Sequence, residues 1–363
     1  IAMRIGILGG GQLAMMMIKM SSNKHNIDFL VVDPSKNPPA SKYAKCIKSE
    51  YDDIKSLDLL IKNCDVITID FENVPSHSLE YLEKHIPVHP NSKSVEICQD
   101  RLNEKNIFLQ NNILTTKFKS VESEKDLKKA IEEFGPNSIL KSRKLGYDGK
   151  NQIIIGNQDT KDIWAKIAGV ESIIENKIDF ITEVSIIGVR NILGETFFYP
   201  LVENFHKNGI LNISIAPFEN DNIQKEAEKI HEKITNAMNY VGVLVIEFFI
   251  DKNNKLIANE MAPRVHNSGH WTISGANVSQ FESHILAISN LPLKKIKTTG
   301  YSGMLNILSK MPDINKIKEI GISDVFNYDK SERPNRKLGH ITITCPTKKL
   351  LLEKIDVISK MLC

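Results

Sequence analysis

The sequence predicts a mixed α/β and α+β chain in three units, and three observations carry that prediction. A short buried-type strand at 3–8 (MRIGIL) leads through Gly9-Gly10-Gly11 into an apolar helix at 13–20, which is how a parallel α/β unit begins. The Pro- and Asn-bearing stretches at 87–91 and 290–292 punctuate the chain. After the second, three short strands alternate with two helices, the pattern of a small α+β unit. The expected units are 1–94, 95–295 with a flap subdomain at about 115–178, and 296–363, since 363 residues exceed one simple core.

Composition narrows the function classes. Lys and Arg number 47 against 44 Asp and Glu, a net charge of +3, which gives no polyanion-binding specialisation and no reason to expect nucleic acid as a partner. Five scattered cysteines without a C-x-x-C pair point away from zinc and disulfides and toward a reducing cytoplasm. No apolar run approaches the ~18 residues of a membrane span, and no leader pattern is present. Ile1-Ala2 ahead of Met3 reads as an appended remnant.

In the first unit, Gly9, Gly11 and Ala14 satisfy G-x-G-x-x-[GA], and Asp33 ends the next strand, 29–32, at the distance a dinucleotide fold requires. The glycine turn lets backbone N–H groups approach an anion without saying which anion. A third strand, 66–70, is followed by Glu72, which lies just past a carboxyl end or caps a helix.

The second unit opens with one amphipathic helix at 95–110 carrying Arg101 and Lys105 and a second at 124–134. Strands at 138–141 and 153–155 flank SRKLGYDGKNQ, in which Lys141, Arg143, Lys144 and Lys150 stand beside Gly146 and Gly149. That is the composition of a mobile flap over a phosphate chain. A helix at 159–169 precedes two strands within 171–189, bearing Glu175 and Glu183. A hairpin of 196–202 with 210–215 places Glu203–His206 in its loop. The helix at 223–240 presents an apolar stripe, with His231 at its surface or boundary.

The most informative stretch is VGVLVIEFFIDKNNKLIANEMAPRVHNSGHW at 241–271. Strands at 243–250 and 256–261 flank a polar turn, and pairing symmetric about Asn253-Asn254 sets Glu247 opposite Glu260. Directly opposed like charges destabilise an antiparallel pair, so a cation should lie between them. With the Asn259 amide oxygen alongside, a Mg²⁺ ion that also holds substrate phosphates fits. A register shifted by one, with one glutamate in solvent, is the alternative. Arg264, His266, Asn267, Ser268, His270 and Trp271 concentrate donors where the strand should end, as a binding loop does. A helix at 278–289 closes the unit. In the third unit, strands at 304–308, 325–328 and 339–344 alternate with helices at 313–320 and 348–362, and the basic link Arg333–Lys337 is either solvated or an anion site.

Read together, GILGGGQLAMM at 6–16, FENVP at 71–75, GYDGKNQ at 146–152, EVSIIGVR at 183–190, YPLVENFHKNGIL at 199–211, NEMAPRVHNSGHWT at 259–272 and RKLGHIT at 336–342 resemble the ATP-grasp superfamily, and within it the N5-carboxyaminoimidazole ribonucleotide synthetases of purine biosynthesis. The resemblance implies an ATP-grasp domain between a Rossmann-like N-terminal domain and a small C-terminal domain. It implies ATP-driven carboxylation of aminoimidazole ribonucleotide by bicarbonate through carboxyphosphate, and a homodimer. Glu247 and Glu260 then match the Mg²⁺ ligands. Arg101, Lys141, Gly146, Tyr147, Asp148, Gly149, Lys150, Asn151, Gln152, Glu175, Asn176, Lys177, Ile178, Glu183, His206, Asn259 and Glu260 match ATP-contact positions. Gln12, Leu13, Glu72, Lys150, Arg264, His266, Asn267, Ser268, Arg336 and Lys337 fall on the ribonucleotide side. Tyr147, Asp148, Arg264, His266 and Lys337 are the catalytic candidates, with Asp148 or His266 handling the amine proton. Two departures stand out: Leu145 and Asn151 occupy flap positions where the family more often has glycine, and Asn176-Lys177 replaces a Gln-Gly-type pair.

Three rival readings follow from parts of the chain. Gly9, Gly11, Ala14 and Asp33 alone suit an NAD-dependent oxidoreductase, which leaves the opposed glutamates and the flap without a task. A catalytically silent nucleotide-binding regulator has no need of both glutamates. A sister ATP-grasp ligase, such as a formate-dependent ribonucleotide transformylase, differs only in the product it makes.

Overall fold

The structure is a computed structural model that describes residues 1–146 and 148–362; Tyr147 lies outside the described residues. The N-terminal unit runs β1 (Met3–Leu8), α1 (Gln12–His25), β2 (Ile27–Asp33), β3 (Lys45–Lys48), α2 (Ile54–Asn63), β4 (Val66–Ile69) and α3 (Ser76–Glu83). Its strands form a parallel sheet in the order β3-β2-β1-β4. Ile5, Ile7, Val31 and Ile67 are fully buried, as strands covered on both faces must be. The chain leaves β1 in one direction and returns on the other side as β4. The crevice at their carboxyl ends therefore holds Gly9–Gln12 and Asp70–Asn73 together, where open α/β sheets bind ligands.

The single helix expected over 95–110 is two, α4 (Ser92–Gln99) and α5 (Arg101–Gln110). Asp100 breaks it. Its backbone is extended, its side chain accepts the Leu102 N–H as the cap of α5, and the same carboxylate is forked by Arg143 at 3.0 and 2.7 Å. A helical pattern with Asp in mid-run reads as continuous until that distant partner is known.

A second sheet in the order β5-β8-β6-β7 is built from β5 (Phe118–Val121), β6 (Ser138–Ser142), β7 (Gln152–Ile154) and β8 (Ser172–Asn176), with α6 (Glu124–Phe134) and α7 (Thr160–Lys166) beside it. The cationic loop joins β6 to β7. Leu145 and Asn151 hold φ of 60° and 56°, the left-handed conformation that glycine adopts freely.

The largest sheet contains β9 (Phe180–Arg190), β10 (Thr196–Phe198), β11 (Val202–Lys207) and β12 (Ile210–Ala216). After α8 (Asp221–Ala237) come β13 (Gly242–Asp251) and β14 (Leu256–Ala262). Beyond α9 (Thr272–Gly275) and α10 (Gln280–Ile288) it is completed by β15 (Tyr301–Leu308), α11 (Ile314–Glu319), β16 (Asp324–Asn327), β17 (Lys337–Cys345) and α12 (Lys348–Met361). Its order is β14-β13-β9-β11-β12-β15-β17-β16, with β10 on the end of β9. The strands of the C-terminal unit thus continue the central sheet through the β12–β15 ladder. Glu203–His206, expected in a loop, lie in β11, which pairs with both β9 and β12.

The two faces of this sheet are packed differently. Leu244, Ile246 and Phe248 on β13 pack against Ile223, Ile230 and Ile234 of α8. Val243 and Val245, on the opposite face, pack against Phe281, Ile285 and Ile288 of α10. Past Val245 that cover ends, and Glu247 is the next residue on the uncovered face. The N-terminal unit docks on α10 through α1, where the buried Glu282 carboxylate meets Lys24, His25 and Lys294 at 3.2, 2.8 and 2.6 Å. His231 is wholly buried rather than at the surface. The missing side chain of Gly188 leaves room for its ring, and Nε2 lies 2.9 Å from the Leu244 carbonyl.

Glu247 does face Glu260, though by a different route than a symmetric turn. Ile250 pairs with Leu256, because the loop has three residues and ends on Asn254 in the left-handed region at φ 58°. Continued unchanged, that register would set Glu247 against Asn259. A β-bulge at Asn259 inserts one extra residue, so that Phe248 pairs with Ala258 and Glu247 with Glu260. The bulge also moves Glu260 from the α8 face to the open one.

Replacing Asp100 with Ala removes the α5 cap and the Arg143 fork together. Urea unfolding of the variant should show a loss of at least about 1–2 kcal/mol, the usual range for a lost cap; an unchanged midpoint would show that neither contact matters to the fold.

Candidate active site

A cleft of about 1020 Å³ lies between the carboxyl ends of β1 and β4, the β6–β7 flap loop and the uncovered face of the large sheet. It exceeds what a single small ligand needs. Of the residues singled out from the sequence, Gln12, Leu13, Glu72, Arg101, Lys141, Gly146, Asp148, Gly149, Gln152, Glu183, His206, Glu247, Asn259, Glu260, Arg264, His266, Asn267 and Lys337 all line it.

At one end are the paired glutamates. Burial, then the Glu260 charge, pushes the Glu247 carboxyl well above the carboxylate range. For Glu260, burial pushes upward but is outweighed by the Arg101 guanidinium at 3.0 Å and by the neighbouring Glu247 carboxyl, which hold it below the usual carboxylate range. Among the described residues no cluster of three or more acidic, His or Cys groups could hold a metal unaided. The pair nevertheless fits a hard divalent ion: two carboxyl groups set opposite each other, with Asn259 beside them, lack only the oxygens that a bound phosphate chain would bring. Arg101 also donates to the Gly146 carbonyl at 3.1 Å and so ties the flap to this end.

Along the same cleft Arg264 forks Glu72 at 2.6 and 3.2 Å, and Lys337 reaches Asp148 on the flap at 3.1 Å. His266 is pushed down to about 3, by burial first and then by the charges of Arg264 and Lys337, so its ring is neutral. Its Nδ1 lies 2.8 Å from the Ser268 hydroxyl, and Nε2 lies 3.9 Å from Glu247. On the flank, His206 Nδ1 is 3.1 Å from Glu183.

Other residues named from the sequence do not reach the cleft. Glu175 is buried between Lys105 and Lys141 at 2.8 and 2.6 Å and positions Lys141 from behind. Asn176 at the end of β8 and Lys177 and Ile178 just beyond it lie outside the lining, and so do Lys150 and Asn151 ahead of β7. Ser268 is buried under His266, and Arg336 folds back on Ser331. The lining also includes Asp70, Glu104, Phe249 and Tyr328, which the sequence reading left aside. Lys330, whose Nζ donates to Gln12 Oε1 at 2.7 Å, was also missed. Burial and the neighbouring Arg336 and Lys337 pull its ammonium down to about 8. Only Lys330's place three residues ahead of Arg333 hinted at it.

The glycine turn is already occupied by the protein's own acids. Gly10 N–H donates to Asp33 at 2.8 Å and Gly11 N–H to Asp70 at 2.7 Å. A Cβ on Gly9 would fall 1.8 Å from Asp70 Oδ1, which explains that glycine. With Asp33 also accepting the Ser35 N–H, it is not placed to read a ribose, and the oxidoreductase reading loses its main support.

With this geometry in hand, the chain can be set beside known proteins. Residues 106–281 match the model of the ATP-grasp domain, 2–99 that of the ribonucleotide synthetase preATP-grasp domain, and 302–354 that of the phosphoribosylaminoimidazole carboxylase C-terminal domain. The N5-carboxyaminoimidazole ribonucleotide synthase of Pseudomonas aeruginosa is 37% identical over 361 residues, covering 99% of each chain. The N5-carboxyaminoimidazole synthetase of Staphylococcus aureus complexed with ADP superposes with a TM-score of 0.93 at 34% identity, covering 99% of this chain and 98% of that one. The Aspergillus clavatus enzyme in complex with ADP and 5-aminoimidazole ribonucleotide gives 0.88 at 27% identity, covering 99% and 98%. Fold and cleft thus define an ATP-grasp carbon–nitrogen ligase. Within that class, the chain belongs to the N5-carboxyaminoimidazole ribonucleotide synthase family of purine biosynthesis.

Asp70 gives this site a pH signature. Burial, more than any other cause, lifts it to about 7 from an ordinary 3.8. The native state therefore holds a proton that the unfolded chain gives up, and the stability this contributes is lost as pH rises from about 4 to about 7. Thermal unfolding across that window should show a flatter profile for Asp70→Asn than for the parent; parallel profiles would remove Asp70 as the source.

Proposed function

We propose that the cleft carboxylates 5-aminoimidazole ribonucleotide with bicarbonate at the expense of ATP, giving N5-carboxyaminoimidazole ribonucleotide, ADP and phosphate on the route to IMP. The observation that carries this reading is the meeting, in one cavity, of the opposed Glu247–Glu260 pair with the flap-borne Asp148–Lys337 contact. A phosphate-activating end and an amine-handling end then lie within a single enclosure. The Aspergillus clavatus relative bound to ADP and the ribonucleotide supports both halves.

Bicarbonate is a weak electrophile. In the proposed first step one of its oxygens attacks the γ-phosphorus, the bond to the β-bridging oxygen breaks, and ADP leaves carboxyphosphate behind. Catalysis of such a transfer is mostly positioning and charge neutralisation. Lys141, fixed by Glu175, and Arg101, fixed between Glu260 and the flap, supply that charge. Glu247 and Glu260, with Asn259, would hold a magnesium ion, which when bound neutralises the phosphates. Carboxyphosphate then releases phosphate and CO₂, and the ribonucleotide amine adds to the carbon. Asp148, steadied by Lys337, takes the amine proton, while the neutral His266 faces the glutamate end. Arg264, Gln12, Asn267 and Lys337 bind the ribonucleotide. Cys46, Cys64, Cys98 and Cys345 are all unpaired thiols, which supports a reducing cytoplasm.

The reaction test is ADP release with ribonucleotide and bicarbonate each omitted in turn. Release should need both, and labelled bicarbonate should enter the product; formate serving in its place would overturn the reading in favour of a transformylase. Glu260→Gln should cut ribonucleotide-dependent ADP release by about 100-fold or more with the circular dichroism spectrum unchanged, and near-parental turnover would sink the metal assignment. Lys337→Ala should raise KM for the ribonucleotide more than that for ATP; the opposite ranking in paired titrations would move Lys337 to the nucleotide side.

A further inference from the structure

β14 is an edge strand, and the bulge leaves backbone groups of residues 258–261 facing away from β13. Those groups need partners. Ala258 finds them in a neighbouring loop, its N–H donating to the Leu114 carbonyl and its carbonyl accepting from Thr115 Oγ1 at 2.8 and 2.7 Å. Across the bulge itself the partners change character. The Asn259 carbonyl accepts from Lys105 Nζ at 2.6 Å, and the Met261 N–H donates to Glu104 Oε2 at 2.9 Å.

Both side chains come from α5, one turn after Arg101, so Arg101, Glu104 and Lys105 share a helix face. That face holds residues 259, 260 and 261 in turn: Lys105 takes the Asn259 carbonyl, Arg101 the Glu260 carboxylate and Glu104 the Met261 amide. Glu104 and Lys105 are only 3% and 2% exposed. Burying two ionisable groups here is costly even though Lys105 also meets Glu175 at 2.8 Å, and a neutral cover would close the edge at less expense. What two buried side chains reaching from one helix face to either side of Asn259 provide is a fixed place for the bulge.

We propose that Glu104 and Lys105 are positioning residues that pin the Asn259 bulge and so hold Glu260 opposite Glu247 for the metal–nucleotide complex. The proposal rests on the metal reading given above. Without the pair, β14 is free to slip toward the register its own turn dictates, in which Glu247 faces Asn259 and Glu260 turns toward the α8 face.

The experiment is equilibrium binding of ADP by calorimetry, with and without Mn²⁺, on the full chain and three variants. In the parent, Mn²⁺ should tighten ADP binding. Glu104→Leu, which removes the acceptor, and Lys105→Met, which keeps side-chain length and leaves Glu175 paired with Lys141, should each lose about 10- to 100-fold of that gain. Metal-free ADP affinity should stay within about 3-fold of the parent, a result general loosening would not give. Glu104→Gln keeps an oxygen for the Met261 N–H and should recover most of the gain. If Glu104→Leu does not fold, Lys105→Met and Glu104→Gln still decide the matter from the two sides of the bulge. A folded Lys105→Met or Glu104→Leu protein with the full Mn²⁺ gain overturns the clamp and leaves the metal site standing. A parent protein indifferent to Mn²⁺ overturns the metal reading, and the clamp's role falls with it.

Discussion

Two carboxyl groups brought face to face across an antiparallel pair must share a proton or a cation, and much of this fold is arranged around that constraint. The face on which they meet is left open because α10 covers β13 only as far as Val245. The opposite face is sealed by α8, so neither glutamate can escape through the sheet. Arg101 keeps one of the two ionised, and its guanidinium is in turn aimed by the Asp100–Arg143 fork at the start of α5. Arg101 N–H also donates to the Arg143 carbonyl at 2.9 Å, so flap base and helix start are joined twice.

Several of the polar groups along the cleft are held by another before any ligand arrives. Glu72 is forked by Arg264, Lys141 is backed by Glu175, Gln12 is met by Lys330, and the glycine turn is filled by Asp33 and Asp70. A site built this way gives up little side-chain freedom when substrates bind. The cost is a set of buried acids and imidazoles with displaced proton affinities. Asp70, Glu104, Glu247 and His266 all line the one cavity, and in each burial is the largest cause of the shift.

Much of this was legible in the sequence where local rules apply. Three of the four parallel strands of the first sheet (β1, β2 and β4), the flap loop and the 243–261 hairpin were readable because period, turn residues and glycines all act over a few positions, whereas the short β3 was not. The opposed glutamates were found as well, but through a symmetric turn that the structure replaces with a three-residue loop and a compensating bulge. What was missed depended on distant partners. Asp100 divides a helix because Arg143 waits for it, His231 is buried because Gly188 makes room, and Glu175 serves Lys141 from inside the core. Lys105 was noted only as a charge on a helix, since nothing nearby shows that it holds a peptide carbonyl more than 150 residues away.

The ladder between β12 and β15 has a mechanical corollary. Because one hydrogen-bonded sheet runs unbroken from the glutamate hairpin to the strand bearing Lys337, the two chemical ends of the cleft cannot part company like the halves of a clamshell. The β5–β8 sheet with its flap is joined to that slab covalently only through residues 111–117 and 177–179. Any opening of the cleft that spares this slab therefore has to come at the small flap sheet, by breaking contacts such as Arg101–Gly146 and Asp148–Lys337.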